Sequence, residues 1–258
     1  MIQLKSQEFP VTLAFPPQGH WTQLHLALPC LKAWLHENGY DDVEQMDLSV
    51  EAFDHFLTPA QLERAKQRVL ERLPLERFDT DRLPLGEMRA WRAAIESAAS
   101  ADALIDRVDE AKAILRGADA ESDEERGFWD PDRYVPAVRT LYHGLRLVSA
   151  AHYPSELTPH NFTMGYSNDS SEDVLAATLD EDQNPFIAFY REEVLPRLVA
   201  RRPRVLGLSV LYGSQLIPAL TLGRLVKEAL PDCHITMGGG FLAYIGDKVM
   251  SAPRMAEC

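Results

Sequence analysis

The sequence predicts an α/β protein with a Rossmann-like, flavodoxin-like parallel sheet that is truncated and carries a large helical insertion. Two observations predict this fold. Near both ends of the chain, short apolar runs alternate with helix-like runs, which is the order of βαβ units with parallel strands. Between them lies a long charged stretch with helical spacing. We therefore assign residues 1–50 and 203–258 to one α/β domain in two parts, and residues 51–202 to the insertion.

The first part of the domain is predicted to form a strand, a helix and a second strand. The apolar run Val11–Phe15 ends in a Pro-Pro-Gln-Gly-His loop at 16–20. Leucines at helical spacing over 28–35 predict a helix, and Asn38-Gly39 provides its C-cap. A short run over 43–48 predicts the second strand, which a right-handed crossover would place parallel to the first.

The insertion is predicted to be helical, because prolines and glycines divide it into charged runs with apolar residues at helical spacing. These helical stretches cover residues 60–73, 86–116, 131–151 and 185–201. The insertion either shapes the substrate side of the domain or only covers the sheet, and the second interpretation is the simpler.

The second part of the domain resumes the α/β pattern with a strand over 205–210, a helix over 215–230 and a strand over 234–237. Near-continuous apolar runs are typical of parallel strands that are covered on both faces. No further strand is predicted after residue 237. Because flavodoxin-like sheets usually have five strands in the order 2-1-3-4-5, we expect a sheet that stops early.

The charge balance disfavours two classes of partner. Acidic residues exceed basic residues by 13, so the surface should repel phosphate backbones and anionic lipids. We therefore expect neither nucleic acid nor a membrane as a partner. No apolar run is long enough for a transmembrane helix, and the N-terminus lacks a signal-peptide pattern, which predicts a cytoplasmic protein.

Several classes of catalytic site also lack sequence support. The three cysteines, Cys30, Cys233 and Cys258, are too few and too scattered for a disulfide framework or a four-thiolate metal site. Any metal would therefore arrive inside a cofactor. The chain has no Gly-x-Ser-x-Gly, Walker A or Gly-x-Gly-x-x-Gly motif, and we assign no catalytic residue.

The candidate ligand site is the carboxyl edge of the predicted sheet. Ligands of open parallel sheets bind at this edge, near the point where the strand order reverses. Three loops leave strands there, and we expect them to converge. Their candidate cofactor-binding residues are Pro17, Gln18, Gly19 and His20 in the first loop, Ser209, Val210, Tyr212, Gly213, Ser214 and Gln215 in the second, and Gly238, Gly239, Gly240 and Phe241 in the third.

Some of these residues have simple structural alternatives. A glycine lets a ligand approach the backbone but also satisfies turn geometry, and three in succession after a strand favour ligand contact. Ser214 either caps the following helix or faces the ligand. Gln215 is favoured for ligand contact, because the start of a helix needs no amide there. His20 is a candidate for metal or ligand contact, although lone histidines are more often structural.

Residues 207–227 and 231–240 resemble the N-terminal cobalamin-binding domain of cobalamin-dependent radical SAM enzymes. An opening strand that ends in Pro16-Pro17 is also typical of this family. The resemblance covers residues 10–50 and 203–250 and leaves the helical middle unexplained. The matching residues are Gly207, Ser209, Gln215, Pro218, Lys227, Pro231, Gly238 and Gly239.

The resemblance implies the cofactor module of a methyltransferase-like enzyme, with cobalamin against the strand ends and an unknown substrate. Tyr212 and Gln215 would lie near the lower face of the corrin, and Gly238–Gly240 would face the nucleotide tail. The Asp-x-His-x-x-Gly motif is missing, which implies binding without a histidine ligand to cobalt. The Cys-x-x-x-Cys-x-x-Cys motif is also absent, so S-adenosylmethionine and the [4Fe–4S] cluster are expected only in a further C-terminal domain.

Two other interpretations remain. The run from Phe15 to His20 and the helix-like run after it also resemble the start of two-domain glycosyltransferases, where His20 would be the base towards an acceptor hydroxyl. The chain has no recognisable nucleotide-sugar motif, which favours the cobalamin interpretation. A helical interaction module on an α/β scaffold would bind no small molecule at all.

Overall fold

The computed structural model describes residues 9–23, 25–72, 84–122 and 125–252. Four strands form one parallel sheet in the order β2-β1-β5-β6, and the predicted Rossmann-like α/β fold is confirmed. The strands are β1 (Val11–Phe15), β2 (Val43–Asp47), β3 (Glu156–Leu157), β4 (Phe162–Thr163), β5 (Val205–Ser209) and β6 (His234–Gly238).

The helices surround the strands in chain order. They are α1 (Ala27–Glu37), α2 (Leu48–Phe56), α3 (Pro59–Arg72), α4 (Leu85–Ala99), α5 (Ala101–Ile105), α6 (Val108–Leu115), α7 (Pro131–Ala151), α8 (Ser171–Ala177), α9 (Pro185–Phe189), α10 (Leu195–Arg201), α11 (Leu216–Ala229) and α12 (Gly240–Ser251). A π-helical turn, Tyr190–Val194, joins α9 to α10, and a 3-10 turn, Gly213–Gln215, leads into α11.

Strand β1 is the centre of the sheet, and all five of its residues are buried. Its apolar side chains pack with Leu28 of α1 and Val43 of β2 in one cluster. On β5, a Cβ at Gly207 would lie 3.0 Å from Cδ2 of Leu13, so the absence of a side chain there makes room for the neighbouring strand. The central strands are therefore covered on both faces, as expected for a parallel sheet.

The chain divides into two compact units, and the division differs from the boundary predicted from the sequence. Phe53–Pro159 forms a helical unit, and the remaining described residues form an α/β unit. The sequence analysis ended the insertion at residue 202, whereas residues 160–202 cluster with the sheet. Two contacts explain this: Arg201 donates to Asp42 Oδ1 at 2.7 Å, and Asn184 Nδ2 donates to Thr221 Oγ1 at 2.9 Å.

The helical unit is built around the 21-residue helix α7. Asp130 caps its N-terminus by accepting from the backbone N–H of Asp132 at 2.9 Å. A Cβ at Gly144 would lie 2.5 Å from Cδ2 of Leu57, so the glycine permits close packing in the middle of the helix. The stretch predicted over 86–116 forms three helices rather than one, because the chain turns at Ser100, whose hydroxyl donates to the backbone carbonyl of Glu96 at 2.9 Å.

A mainly apolar cavity of about 280 Å³ also lies within the helical unit. Arg72, one of its lining residues, donates to the backbone carbonyl of Ala151 at 2.8 Å, which satisfies a carbonyl at the end of α7. No carboxylate, thiol or imidazole is among the lining side chains, so the cavity has none of the usual acid, base or metal-ligating groups. The lining residues are Val69, Arg72, Ala90, Trp91, Ala94, Ala150 and Tyr153.

Across the four described ranges, no helix combines the length and apolar character that a membrane-spanning segment needs.

Candidate functional site

The three predicted loops meet at the carboxyl edge of the sheet. The strand order reverses between β1 and β5, because β2 lies on one side of this pair and β6 on the other. In doubly wound sheets this switch point is where the connecting loops separate and leave a crevice for a ligand. The edge between β1 and β5 is therefore the part of the fold in which ligand-binding groups are sought.

Gln215 joins two of these loops from beneath. Its side chain is completely buried. Its Oε1 accepts from the backbone N–H groups of Leu211 and Tyr212 at 2.7 and 3.0 Å. Its Nε2 donates to the backbone carbonyl of Pro16 at 2.6 Å. The structure thus gives Gln215 a positioning role in what we call the Gln215 junction, and not a place on the accessible surface of the edge.

Two further hydrogen bonds join the same loops. Ser214 Oγ donates to the backbone carbonyl of Gln18 at 3.3 Å, so this hydroxyl contacts the first loop. The Tyr212 hydroxyl donates to Gln23 Oε1 at 3.1 Å. Gln18 itself is buried, and the Pro17–Gln18 peptide bond is cis. The first and second loops therefore form one connected surface.

The backbone of Gly19 is satisfied by a residue that the sequence analysis did not select. The Gly19 N–H donates to Ser49 Oγ at 2.9 Å, and the same hydroxyl donates to the Gly19 carbonyl at 2.9 Å. Asp47 Oδ1 in turn accepts from the N–H groups of Ser49 and Val50, both at 3.1 Å, at the start of α2. The Gly19 N–H is thus already bonded and is not offered to a phosphate.

The three glycines after β6 have three different surroundings. Gly239 has φ +115°, and a Cβ there would lie 2.3 Å from the carbonyl oxygen of Val210, so the fold itself requires glycine. A Cβ at Gly240 would lie 3.4 Å from Cδ1 of Leu211. A Cβ at Gly238 would meet no atom within 4 Å. Gly238 is therefore the glycine of the three that borders open space.

The third loop is joined to the second through an aromatic ring. A Cβ at Gly213 would lie 3.2 Å from the ring of Phe241, so this ring packs directly on the glycine. The Val210 N–H donates to the Gly238 carbonyl at 2.7 Å and continues the strand pairing into the loops. These contacts bring all three predicted loops together.

Three apolar side chains are exposed on these loops. Leu26 is 68% exposed, Leu211 is 39% exposed and Tyr212 is 38% exposed. We call them the apolar rim. Leu211 borders Gly240, and Tyr212 is bonded to the first loop through Gln23. Exposed apolar groups beside a sheet switch point are typical of a surface that a ligand covers.

A histidine that the sequence analysis missed lies across the switch point. The His25 ring stacks on Phe15 with centroids 3.9 Å apart, and its Nε2 lies 2.9 Å from Ser209 Oγ. Burial lowers the pKa of His25, and the charge of Asp47 partly opposes that shift. The sequence gave no signal for His25, since it belongs to no motif and precedes a helix.

The pair of Ser209 and His25 resembles a nucleophile and its base, but the site lacks nearby oxyanion donors. The N–H of Val210 donates to Gly238, and those of Leu211 and Tyr212 donate to Gln215. All three amides that follow the serine are therefore already bonded. Acyl transfer needs free N–H donors beside the nucleophile, so this geometry disfavours it.

His20 lies in the first loop with its ring nitrogens in a defined state. Its Nδ1 accepts from the Thr22 backbone N–H at 3.2 Å and also lies 2.7 Å from Thr22 Oγ1. The neutral ring therefore carries its hydrogen on Nε2. His20 also stacks on His160 with centroids 4.4 Å apart. Burial, followed by the charge of His160, lowers the pKa of His20.

No family model, characterised protein or solved structure matches this chain. Among the residues that the structure describes, no group of three or more histidine, cysteine or acidic side chains is arranged to hold a metal ion. Cys30 is exposed and Cys233 is buried, while Cys258 lies outside the described residues. The functional proposal therefore depends on the residues of the sheet edge.

We expect Gln215→Leu to destabilise the α/β unit by about 2–4 kcal/mol, because it leaves buried backbone groups of Pro16, Leu211 and Tyr212 without partners. Urea unfolding followed by circular dichroism measures this change. Gln23→Ala is the control, since it removes one exposed side-chain bond to Tyr212. Equal stability of the two variants would show that the junction contributes little.

We expect the folded chain to lose stability as the pH falls below the ordinary histidine pKa of about 6.5. The pKa values of His20 and His25 are both lowered in the folded state, so the unfolded chain binds protons first and gains in population. Urea unfolding at about pH 7, 6 and 5 tests this dependence. The double variant His20→Gln, His25→Gln should have a shallower slope, and an unchanged slope would contradict the assignment.

Proposed function

We propose that the carboxyl edge of this sheet binds cobalamin, which would make the chain the cofactor module of a cobalamin-dependent, radical SAM type methyltransferase or a related enzyme. The observation that carries this proposal is the open backbone at Gly238 beside the exposed side chains of the apolar rim. Both features lie at the switch point of a flavodoxin-like sheet.

The size and chemistry of this surface fit a large, flat ligand. A corrin ring has broad apolar faces, and it gains by covering exposed apolar side chains such as Leu211 and Tyr212. A backbone position without a Cβ, such as Gly238, lets a bulky ligand approach the sheet closely. The residues present therefore fit a ligand of this kind.

The same surface fits phosphate-anchored ligands less well. Flavin and nicotinamide nucleotides are held by free N–H groups at the first loop and at a helix N-terminus. Here the Gly19 N–H donates to Ser49 Oγ, and the N–H groups of Leu211 and Tyr212 donate to Gln215 Oε1. These bonded amides favour a ligand that is held mainly by apolar contact.

Each group at the edge then has a distinct task. The apolar rim would cover the ring and exclude water, and Gly238 would admit the nucleotide tail. Gln215, Ser214 and Ser49 would hold the loops in place rather than contact the cofactor. Cobalamin, when bound, supplies the group-transfer chemistry, and the protein contributes orientation and shielding.

The wider enzyme would need parts that this sequence does not supply. Its three cysteines do not form the Cys-x-x-x-Cys-x-x-Cys motif, so the [4Fe–4S] cluster and S-adenosylmethionine would be bound by a separate domain. The acidic composition supports a cytoplasmic location and favours neither nucleic acid nor membrane as a partner.

The state of His20 weighs against the glycosyltransferase alternative. A histidine base must present a lone pair to the acceptor hydroxyl. In His20, Nδ1 already accepts from the Thr22 N–H, so the neutral ring carries hydrogen on Nε2. The bonded loop would have to rearrange before His20 acted as that base, which makes this alternative the weaker one.

We expect the purified full chain to retain about one equivalent of hydroxocobalamin after desalting, measured from the visible spectrum of the protein fraction. Gly238→Leu should weaken binding ~10- to 100-fold, because its side chain fills the open space at the end of β6 at an overpacking cost of about 1–3 kcal/mol. The matched control is Gly246→Leu in α12, where a Cβ also meets no atom within 4 Å.

Circular dichroism would establish that both variants are folded. Equal affinity of the two glycine variants would contradict the placement of the ligand at Gly238. A folded wild-type chain that retains no hydroxocobalamin would contradict the function itself. Flavin mononucleotide serves as a second ligand, and its tight retention in place of hydroxocobalamin would favour a flavin-binding function.

A further inference from the structure

Two histidines lie in the loop after β1, and their hydrogen bonds give them different chemistry. His20 carries its neutral-state hydrogen on Nε2, because Nδ1 accepts from the Thr22 backbone N–H at 3.2 Å. A backbone amide can only donate, so this tautomer persists while the bond does. Within its present bonds, His20 therefore has no nitrogen lone pair to offer to a metal.

His25 is not restricted in this way. Its Nε2 is paired with the Ser209 hydroxyl at 2.9 Å, and a hydroxyl is able either to donate or to accept. In the described part of the chain, His25 Nδ1 has no hydrogen-bond partner. When Nε2–H donates to Ser209, Nδ1 carries a lone pair. His25 is thus the histidine of this loop that can present a free nitrogen to a ligand.

The position of His25 is also held from two sides. Its ring stacks on Phe15 at the end of β1, with centroids 3.9 Å apart and an angle of 19° between the planes. Ser209 holds Nε2 from the end of β5. The imidazole is only partly buried and bridges the two strands between which the sheet order reverses. Burial keeps the ring neutral near pH 7 by lowering the pKa of His25.

From these contacts we infer that His25 is the protein's nitrogen ligand to the cobalt of a bound cobalamin, with Ser209 as the partner that orients its ring. This inference rests on the proposed function. It departs from what the sequence resemblance implies, namely binding without a histidine ligand. Metal-bound histidines usually bond a second group through their other ring nitrogen, and Ser209 already occupies that position relative to His25 Nδ1.

The test is electron paramagnetic resonance of the full chain loaded with hydroxocobalamin and reduced to the cobalt(II) form. Histidine in the protein is labelled with ¹⁵N, and the cobalamin is unlabelled. Coordination by a protein histidine splits the cobalt lines into doublets, whereas the cofactor's own benzimidazole nitrogen gives triplets. We expect doublets in the wild-type chain and in His20→Gln, and their loss in His25→Gln with the cofactor still bound.

Ser209→Ala provides a second measurement, because it keeps His25 but removes the partner of Nε2. Loss of such a partner typically weakens metal coordination about 10- to 100-fold, so we expect the doublet fraction to fall. Triplets or unsplit lines in the labelled wild-type chain would overturn the inference while leaving cobalamin binding intact. Doublets that persist in His25→Gln would also overturn it. Failure of the wild-type chain to retain cobalamin would overturn both proposals.

Discussion

The carboxyl edge of this sheet depends on one buried amide. Gln215 satisfies two backbone N–H groups of the loop after β5 and one carbonyl of the loop after β1. Without it, three buried backbone groups would lack partners, each at a cost of about 1–3 kcal/mol. Because the same bonds set the spacing of the loops on either side of the switch point, the shape of the candidate site depends on this junction.

The other contacts at the edge extend this connected framework. Ser49 satisfies both backbone groups of Gly19, and Phe241 packs on Gly213 to bring in the loop after β6. Most backbone groups of the loops are thus used internally. What remains accessible is apolar side chain, glycine backbone and the partly buried ring of His25. This combination favours a flat apolar ligand, and it explains why acyl transfer and phosphate anchoring both fit poorly.

The sequence predicted the sheet well because its strands are short, continuous apolar runs flanked by helical periodicity. It also located the three edge loops, since glycines and prolines mark the points where parallel strands end. It did not separate residues that face a ligand from residues that hold the loops. Gln215 and Gly239 were selected as ligand contacts, yet one is fully buried and the other abuts the Val210 carbonyl. Only the three-dimensional contacts reveal this difference.

His25, Asp47 and Ser49 were missed for a related reason. Each acts through a partner that is distant in the sequence or through a local cap, and no motif marks it. The end of the insertion was also misplaced, because helices such as α10 look alike whether they pack on a sheet or on other helices. Arg201, which bonds Asp42, decides that question through a contact across 159 positions of the chain. Such long-range pairings are not readable from periodicity.

The central claim is that a ligand binds at the loops that Gln215 connects. Hydrogen–deuterium exchange of the full chain, with and without hydroxocobalamin, tests it most directly. The account predicts slower exchange in peptides covering residues 16–23, 209–215 and 238–243, and unchanged exchange over 131–151 in the helical unit. Unchanged exchange in all three edge peptides, or slower exchange confined to the helical unit, would contradict the account.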